Sequence, residues 1–184
     1  MKFKKFNDEV LYTDEEITRV SAADIDFLKK EALRNPRQRI RLCSHRDVED
    51  TLHEMLIIHT KDTYVRPHKH LGKSESFHVM EGQVDVVMFG EEGVIQEIIP
   101  MGDYASDLNF YYRLNRPLYH TLLIYSDFLV FHETTKGPFR REETLFAPWA
   151  PDEKEAEKVT SYMRQLTQYV SESKEKQSAL KVFR

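Results

Sequence analysis

From Arg37 to Glu133 the chain reads as a succession of short β-prone runs broken by turn residues, with no helical pattern between them. Arg39, Arg41, Cys43 and His45 alternate with Ile40 and Leu42. His53–Thr60, Tyr64–His70, Glu75–Met80 and Gln83–Phe89 follow, then Val94–Ile99, Asn109–Leu114, Tyr119–Tyr125 and Phe128–Glu133. Lys61-Asp62, Gly82, Asn115-Arg-Pro117 and Ser126-Asp127 punctuate them, and Gly90-Glu-Glu-Gly93 is a clear hairpin signal. Eight or more short strands spaced in this way predict an all-β sandwich or barrel.

The flanks carry a different period. Ser21-Ala-Ala-Asp24 reads as a helix N-cap with an acid three residues on, and Ile25, Leu28, Ala32 and Leu33 fall at helical spacing up to Asn35-Pro36. This predicts an N-terminal helix over 22–34. Val10 to Tyr12 could add an edge strand. Pro151, with acids after it, opens an amphipathic helix over about 152–171, whose stripe is Val159, Tyr162, Met163, Leu166, Tyr169 and Val170. It would pack on the barrel flank or serve as a dimer contact, with residues 172–184 frayed. The 184 residues are expected to form one domain: a helical segment to residue 36, a barrel over 37–140, and a Pro/Trp loop with the C-terminal helix over 141–184. A net charge of −4 gives no reason to expect a nucleic-acid partner. No apolar run approaches the ~20 residues of a membrane span, and the basic start Met-Lys-Phe-Lys-Lys-Phe leads into Asn-Asp-Glu rather than an apolar signal core. The single Cys43 fits a reducing cytoplasm.

Within the strand-rich stretch, Tyr64-Val-Arg-Pro-His-Lys-His70 is followed by Glu75 after a short loop. Residues i and i+2 on a strand share a face, so His68 and His70 can enter one space, and a hairpin at Leu71–Ser74 returns Glu75 beside them. Two imidazoles and a carboxylate suit a divalent transition metal. A hydrogen-bonded polar cluster without metal is the alternative.

His68-x-His70-x4-Glu75-x6-Gly82 resembles the first signature of the cupins, conical β-barrels that commonly bind one metal through three histidines and a glutamate. Asp62 stands where that signature begins with glycine. The second signature, Pro-x-Gly-x2-His, is represented by Asn115-Arg-Pro117-Leu-Tyr-His120, with Ile124 at the place of its asparagine. The resemblance implies a double-stranded β-helix core with an N-terminal helix and a C-terminal amphipathic helix, and it adds His120 as a fourth ligand to His68, His70 and Glu75. Arg39-Ile-Arg-Leu-Cys-Ser-His45, Gly72-Lys-Ser-Glu-Ser-Phe77, Glu133 with Lys136-Gly-Pro-Phe139, and Phe146-Ala-Pro-Trp-Ala-Pro-Asp-Glu153 look like the WbuC family of cupin-fold metalloproteins, over about residues 20–155. That family is associated with bacterial O-antigen and other surface polysaccharides. A carbohydrate or nucleotide-sugar ligand and a homodimer are what the resemblance implies. His3Glu accepts iron, manganese, nickel, zinc or copper.

Other residues divide between roles. Arg66 and Tyr64 share parity with His68; Arg66 would fork onto an anionic group or pair with a neighbouring acid, and Tyr64 would line the mouth. Arg41 and His45, with Arg39, form a second polar wall or a solvated face. Glu133 is a general acid or base, or anchors the Lys136-Gly-Pro loop. Phe77 packs beneath Glu75, Trp149 is a packing plug or a lid residue, and His59 and His78 are structural, His78 pointing away from Glu75. His53 and Met55 share a face of unknown direction. The reading is a metal-dependent isomerase, epimerase or oxygenase, a non-catalytic metal-dependent binding module, or a metal-free acid/base epimerase.

Overall fold

In a computed structural model the backbone is described for residues 1–182 and side chains for residues 1–176. The chain runs β1 (Phe3–Lys5), β2 (Val10–Thr13), α1 (Ala22–Arg34), β3 (Arg39–Cys43), β4 (Leu52–Thr60), β5 (His68–His70), β6 (Glu75–Glu81) and β7 (Gln83–Phe89). It continues through β8 (Ile95–Gly102), β9 (Tyr111–Leu114), β10 (Tyr119–Ile124), β11 (Phe128–Lys136), one 3-10 turn (Arg141–Glu143), β12 (Thr144–Phe146) and α2 (Ala156–Val182). Two sheets form, one ordered β1-β2-β3-β4-β11-β6-β9 and the other β12-β5-β10-β7-β8. All pairings are antiparallel except β2 with β3. Sheet residues therefore extend outside the expected 37–140, because β1 and β2 extend one sheet and β12 the other.

Alternation assigns each strand two jobs. On β4, Met55 and Ile57 enter the core between the sheets, with Phe77, Val79, Val86, Met88 and Phe131. Leu56 and Ile58 face the other way, onto Leu28 and Ala32 of α1. Leu28 and Ala32, four apart on one helix face, are fully buried. At the start of α1 the Asp24 carboxylate accepts from the backbone N–H and hydroxyl of Ser21, the capping arrangement read from the sequence. Val10 to Thr13 is an inner strand rather than an edge, since β1 lies outside it.

The C-terminal helix covers the outer face of the five-stranded sheet, where Leu166 and Val170 meet Val87, Phe89, Tyr119 and Leu123. It begins at Ala156, later than expected. Asp152 first forms a turn, its Oδ1 accepting from the Lys154 N–H and its carbonyl from the Glu155 N–H. The helix also runs past Val170 instead of fraying there, its last described residue being Val182. The polar continuation holds because Glu, Lys and Gln are good helix formers and because Lys174 reaches the buried Asp85 of β7. Residues 183–184, also expected to fray, lie outside the described residues. Trp149 is a packing plug against Phe89 and Tyr119, with Nε1–H donating to the Glu91 carbonyl. Among the described residues no helix is long and apolar enough to cross a membrane.

Candidate metal centre

Register places the predicted residues in rows across the two inner faces. On the seven-stranded sheet one row is His53, Thr135, Glu75 and Leu114; the next row inward is Cys43, Met55, Glu133, Phe77 and Tyr112. On the facing sheet His68 is paired with His120 on one side and Phe146 on the other, while Met88 lies beyond His120. His70 pairs with Thr144. Three histidines thus come from adjacent strands of one sheet, and the carboxylate comes from the other.

The nitrogens of His68, His70 and His120 lie within 4.8 Å of one another. Glu75 Oε1 is 3.1 Å from His120 Nε2, and its Oε2 is 3.4 Å from His70 Nε2. The opposite ring nitrogens are occupied. His68 Nδ1 is 2.9 Å from the Arg66 carbonyl, His120 Nδ1 is 3.0 Å from the Leu118 carbonyl, and His70 Nδ1 is 3.1 Å from Thr144 Oγ1. A carbonyl accepts only, so Nδ1 carries a proton in His68 and His120 and Nε2 turns inward; in His120 that nitrogen donates to Glu75 and becomes a ligand on losing its proton. Tyr112 donates to Glu75 Oε1 at 3.2 Å. The donor set, its tautomers and its outer hydrogen bonds fit a divalent transition metal.

The electrostatics belong to one tightly coupled cluster. Burial opposes charge on Glu75, but His120, His70 and His68 outweigh it and hold the carboxylate ionised, at about 2. Burial also opposes charge on His120, and Glu75 reverses it, to about 9. His68 goes the other way, to about 3, through burial and its two histidine neighbours. Glu133 faces inward from β11, so it does not anchor the Lys136-Gly-Pro loop. Burial and the charge of Glu75 push its carboxyl up to about 7, against Arg41 and His120.

Several predicted lining residues are placed elsewhere. The strand expected over Tyr64–His70 is only His68–His70, because Pro67 has no N–H to extend a ladder. The preceding carbonyls bond irregularly, Val65 accepting from Thr121 Oγ1 at 2.5 Å and Pro67 from the Ala147 N–H at 2.8 Å. Strand parity therefore does not reach Tyr64 or Arg66. Tyr64 donates its hydroxyl to the Pro151 carbonyl at 3.0 Å. Arg66 pairs with Asp152 at 2.7 Å and lies 5.0 Å over the Phe146 ring, at the margin of the site. Arg39 pairs with Glu9 at 3.0 Å. Arg41 shares the inward face with Cys43 and has no ion-pair partner among the described residues. His45 is buried, stacked on His53 at 4.0 Å, and so belongs to a separate pair rather than to the histidine cluster. His59 is buried against Phe131, and His78 is exposed beside Phe110. Phe77 stacks on Phe131 and Tyr112 one row below Glu75.

Sequence reasoning missed Tyr112, Thr144 and Phe146. The i, i+2 spacing of Thr144 and Phe146 matches that of His70 and His68, the one signal that they share a face.

A family model described as a domain of unknown function (DUF6016) matches residues 20–101. No curated protein matches the sequence. Among solved structures, a salicylate 1,2-dioxygenase variant of Pseudoaminobacter salicylatoxidans superposes with a TM-score of 0.53 at 15% identity, over 70% of this chain and 39% of that one. The fold is a cupin fold. A protein of Shewanella oneidensis is similar at 13% identity and a TM-score of 0.48, over 58% of this chain and 72% of that one. The oxalate decarboxylase of Lactobacillus farciminis is similar at 14% and 0.42, over 53% and 27%. The cupin core here spans well under half of the dioxygenase and decarboxylase chains.

Proposed function

We propose that this cupin binds one divalent transition metal through His68, His70, Glu75 and His120 and presents it to a small molecule between the sheets. The observation that carries the reading is the convergence of three ring nitrogens within 4.8 Å, with two Nδ1 atoms tied to backbone carbonyls and a carboxylate from the opposite sheet. Such a metal supplies Lewis-acid polarisation of a bound oxygen. Glu133 supplies a proton carrier one row below Glu75, and the exposed Arg41, two strands away on the same sheet, supplies positive charge. Arg66, engaged by Asp152, positions β5 through its backbone carbonyl rather than binding an anion.

For the ligand class, the sequence resemblance to WbuC-type cupins supports a carbohydrate or nucleotide-sugar precursor of a surface polysaccharide, handled in the cytoplasm by a homodimer. Isomerisation, epimerisation and oxygenation are all compatible with a metal beside a carboxyl group near neutrality.

The test is metal analysis of untagged protein, followed by a thermal-shift screen of nucleotide sugars. About one metal per chain is expected, with retention falling at least tenfold in His68→Ala or His120→Ala. Protein that holds no metal and gains no melting temperature from iron, manganese, nickel, zinc or copper would overturn the proposal. Metal without any ligand response favours the non-catalytic binding module.

A further inference from the structure

A second feature lies where the two sheets part. β8 and β9 are edge strands of different sheets, and they are tied at one end, where Met101 bridges Asn109 and the Gly102 N–H donates to the Asn109 carbonyl at 3.0 Å. Away from that tie they diverge around a cleft of about 400 Å3. Its floor is apolar: Met88, Ile99, Leu114 and Leu118, all packed in or against the core between the sheets. Its rim is charged, with Arg113 and Arg116 on one side and Glu97 on the other.

The rim charges are not spent on each other. Arg113 bonds to neutral groups, Asn115 Oδ1 at 2.9 Å and Ser74 Oγ at 2.8 Å. Among the described residues the side chains of Arg116 and Glu97 make no hydrogen bond or ion pair. The cleft also abuts the candidate metal centre. Met88 is the cross-strand neighbour of His120, and Tyr112, another wall of the cleft, donates to Glu75.

We propose that this cleft binds a small amphipathic carboxylate, its hydrocarbon body on Met88, Ile99, Leu114 and Leu118 and its carboxylate on Arg116. The volume is within the range of small-molecule sites, and an apolar floor with a few convergent polar groups is their usual composition. A guanidinium fork matches a carboxylate. Two cations against one anion leave the rim net positive, which selects the anionic head group over a neutral or cationic one. Binding here does not require a metal, so it stands apart from the reading above.

Hexanoate is a suitable probe, with hexanol and hexylamine as head-group controls. The readout is the 13C-methyl spectrum of methionine-labelled, EDTA-treated full-length protein, with Met88 assigned through Met88→Leu. Hexanoate is expected to shift the Met88 methyl saturably and leave exposed Met80 and α2 residue Met163 in place. Arg116→Gln should weaken binding at least fivefold, and Glu97→Gln, which removes the like charge, should tighten it severalfold; both side chains are exposed and hold no other part of the chain. The proposal is overturned if the Met88 shift does not saturate, if hexanol or hexylamine matches hexanoate, or if neither rim substitution changes the affinity. It is also overturned if the shift appears only after metal is restored, since the carboxylate would then be sitting on the metal.

Discussion

Glu133 carries a cost that its position explains. It lies between Met55 and Phe77 on the inner face, with the ionised Glu75 in the adjoining row. A carboxyl raised to about 7 keeps its proton in the folded protein where the unfolded chain, near 4.5, has released it. Folding stability from this group is therefore full below pH 4.5, declines as pH rises through 7, and levels off above. In metal-free protein, Glu133→Gln should be close to neutral at pH 4.5 and stabilising by about 3 kcal/mol at pH 8. Urea unfolding at the two pH values checks this; a pH-independent difference would show that Glu133 ionises normally. The histidine pair of β5 and Glu75 was legible in the sequence because their spacing encodes a shared face. Tyr112 was not, since its contact with Glu75 is made across strands separated by 37 residues.

At the scale of elements, α2 is fastened by chemistry as well as by its apolar stripe. Asp85 is 1% exposed, held by Lys174 at 2.6 Å and by the Tyr125 hydroxyl at 2.5 Å. Removing one partner of such a pair leaves a buried charge, whereas removing both does not. Lys174→Ala should cost about 2 kcal/mol, discounted because Lys174 is partly solvated, and the double variant Asp85→Asn, Lys174→Met should cost less. Denaturant titration followed by circular dichroism compares the two; equal losses would mean that the charges do not interact. This pair also explains where the sequence reading of the helix stopped short. Hydrophobic periodicity ends at Val170, and a lysine that meets an aspartate 89 residues away leaves no local signature. The opposite holds at Tyr64–Pro67, where β-prone residues predict a strand and the proline prevents one. The antiparallel strands from β6 to β11 were legible because the turns between them are written in local Gly, Asn and Asp chemistry, whereas the three-residue β1 and β12 leave no such run.

At the scale of the whole molecule, the sheets face each other across a mostly apolar core, and dispersion and burial hold them without direction. The strand that carries two of the predicted ligands is among the most weakly paired: β5 has three residues, and its register with β10 is the single pair His68–His120. Local stability should be lowest there. The predicted ligands straddle the interface, with three histidines on one leaf and Glu75 on the other. A cation gripping all four would act as a rivet driven through a laminate, adding a directional bond to layers that otherwise only adhere. Such a rivet resists peeling more than sliding, and it would protect the poorest seam first. Hydrogen exchange with and without chelator reads this directly: on metal removal, amides of His68–His70 and Glu75–Phe77 should exchange at least tenfold faster while those of α1 stay unchanged. Uniform loosening of both helices and sheets would mean that the metal holds the fold as a whole and not its seam.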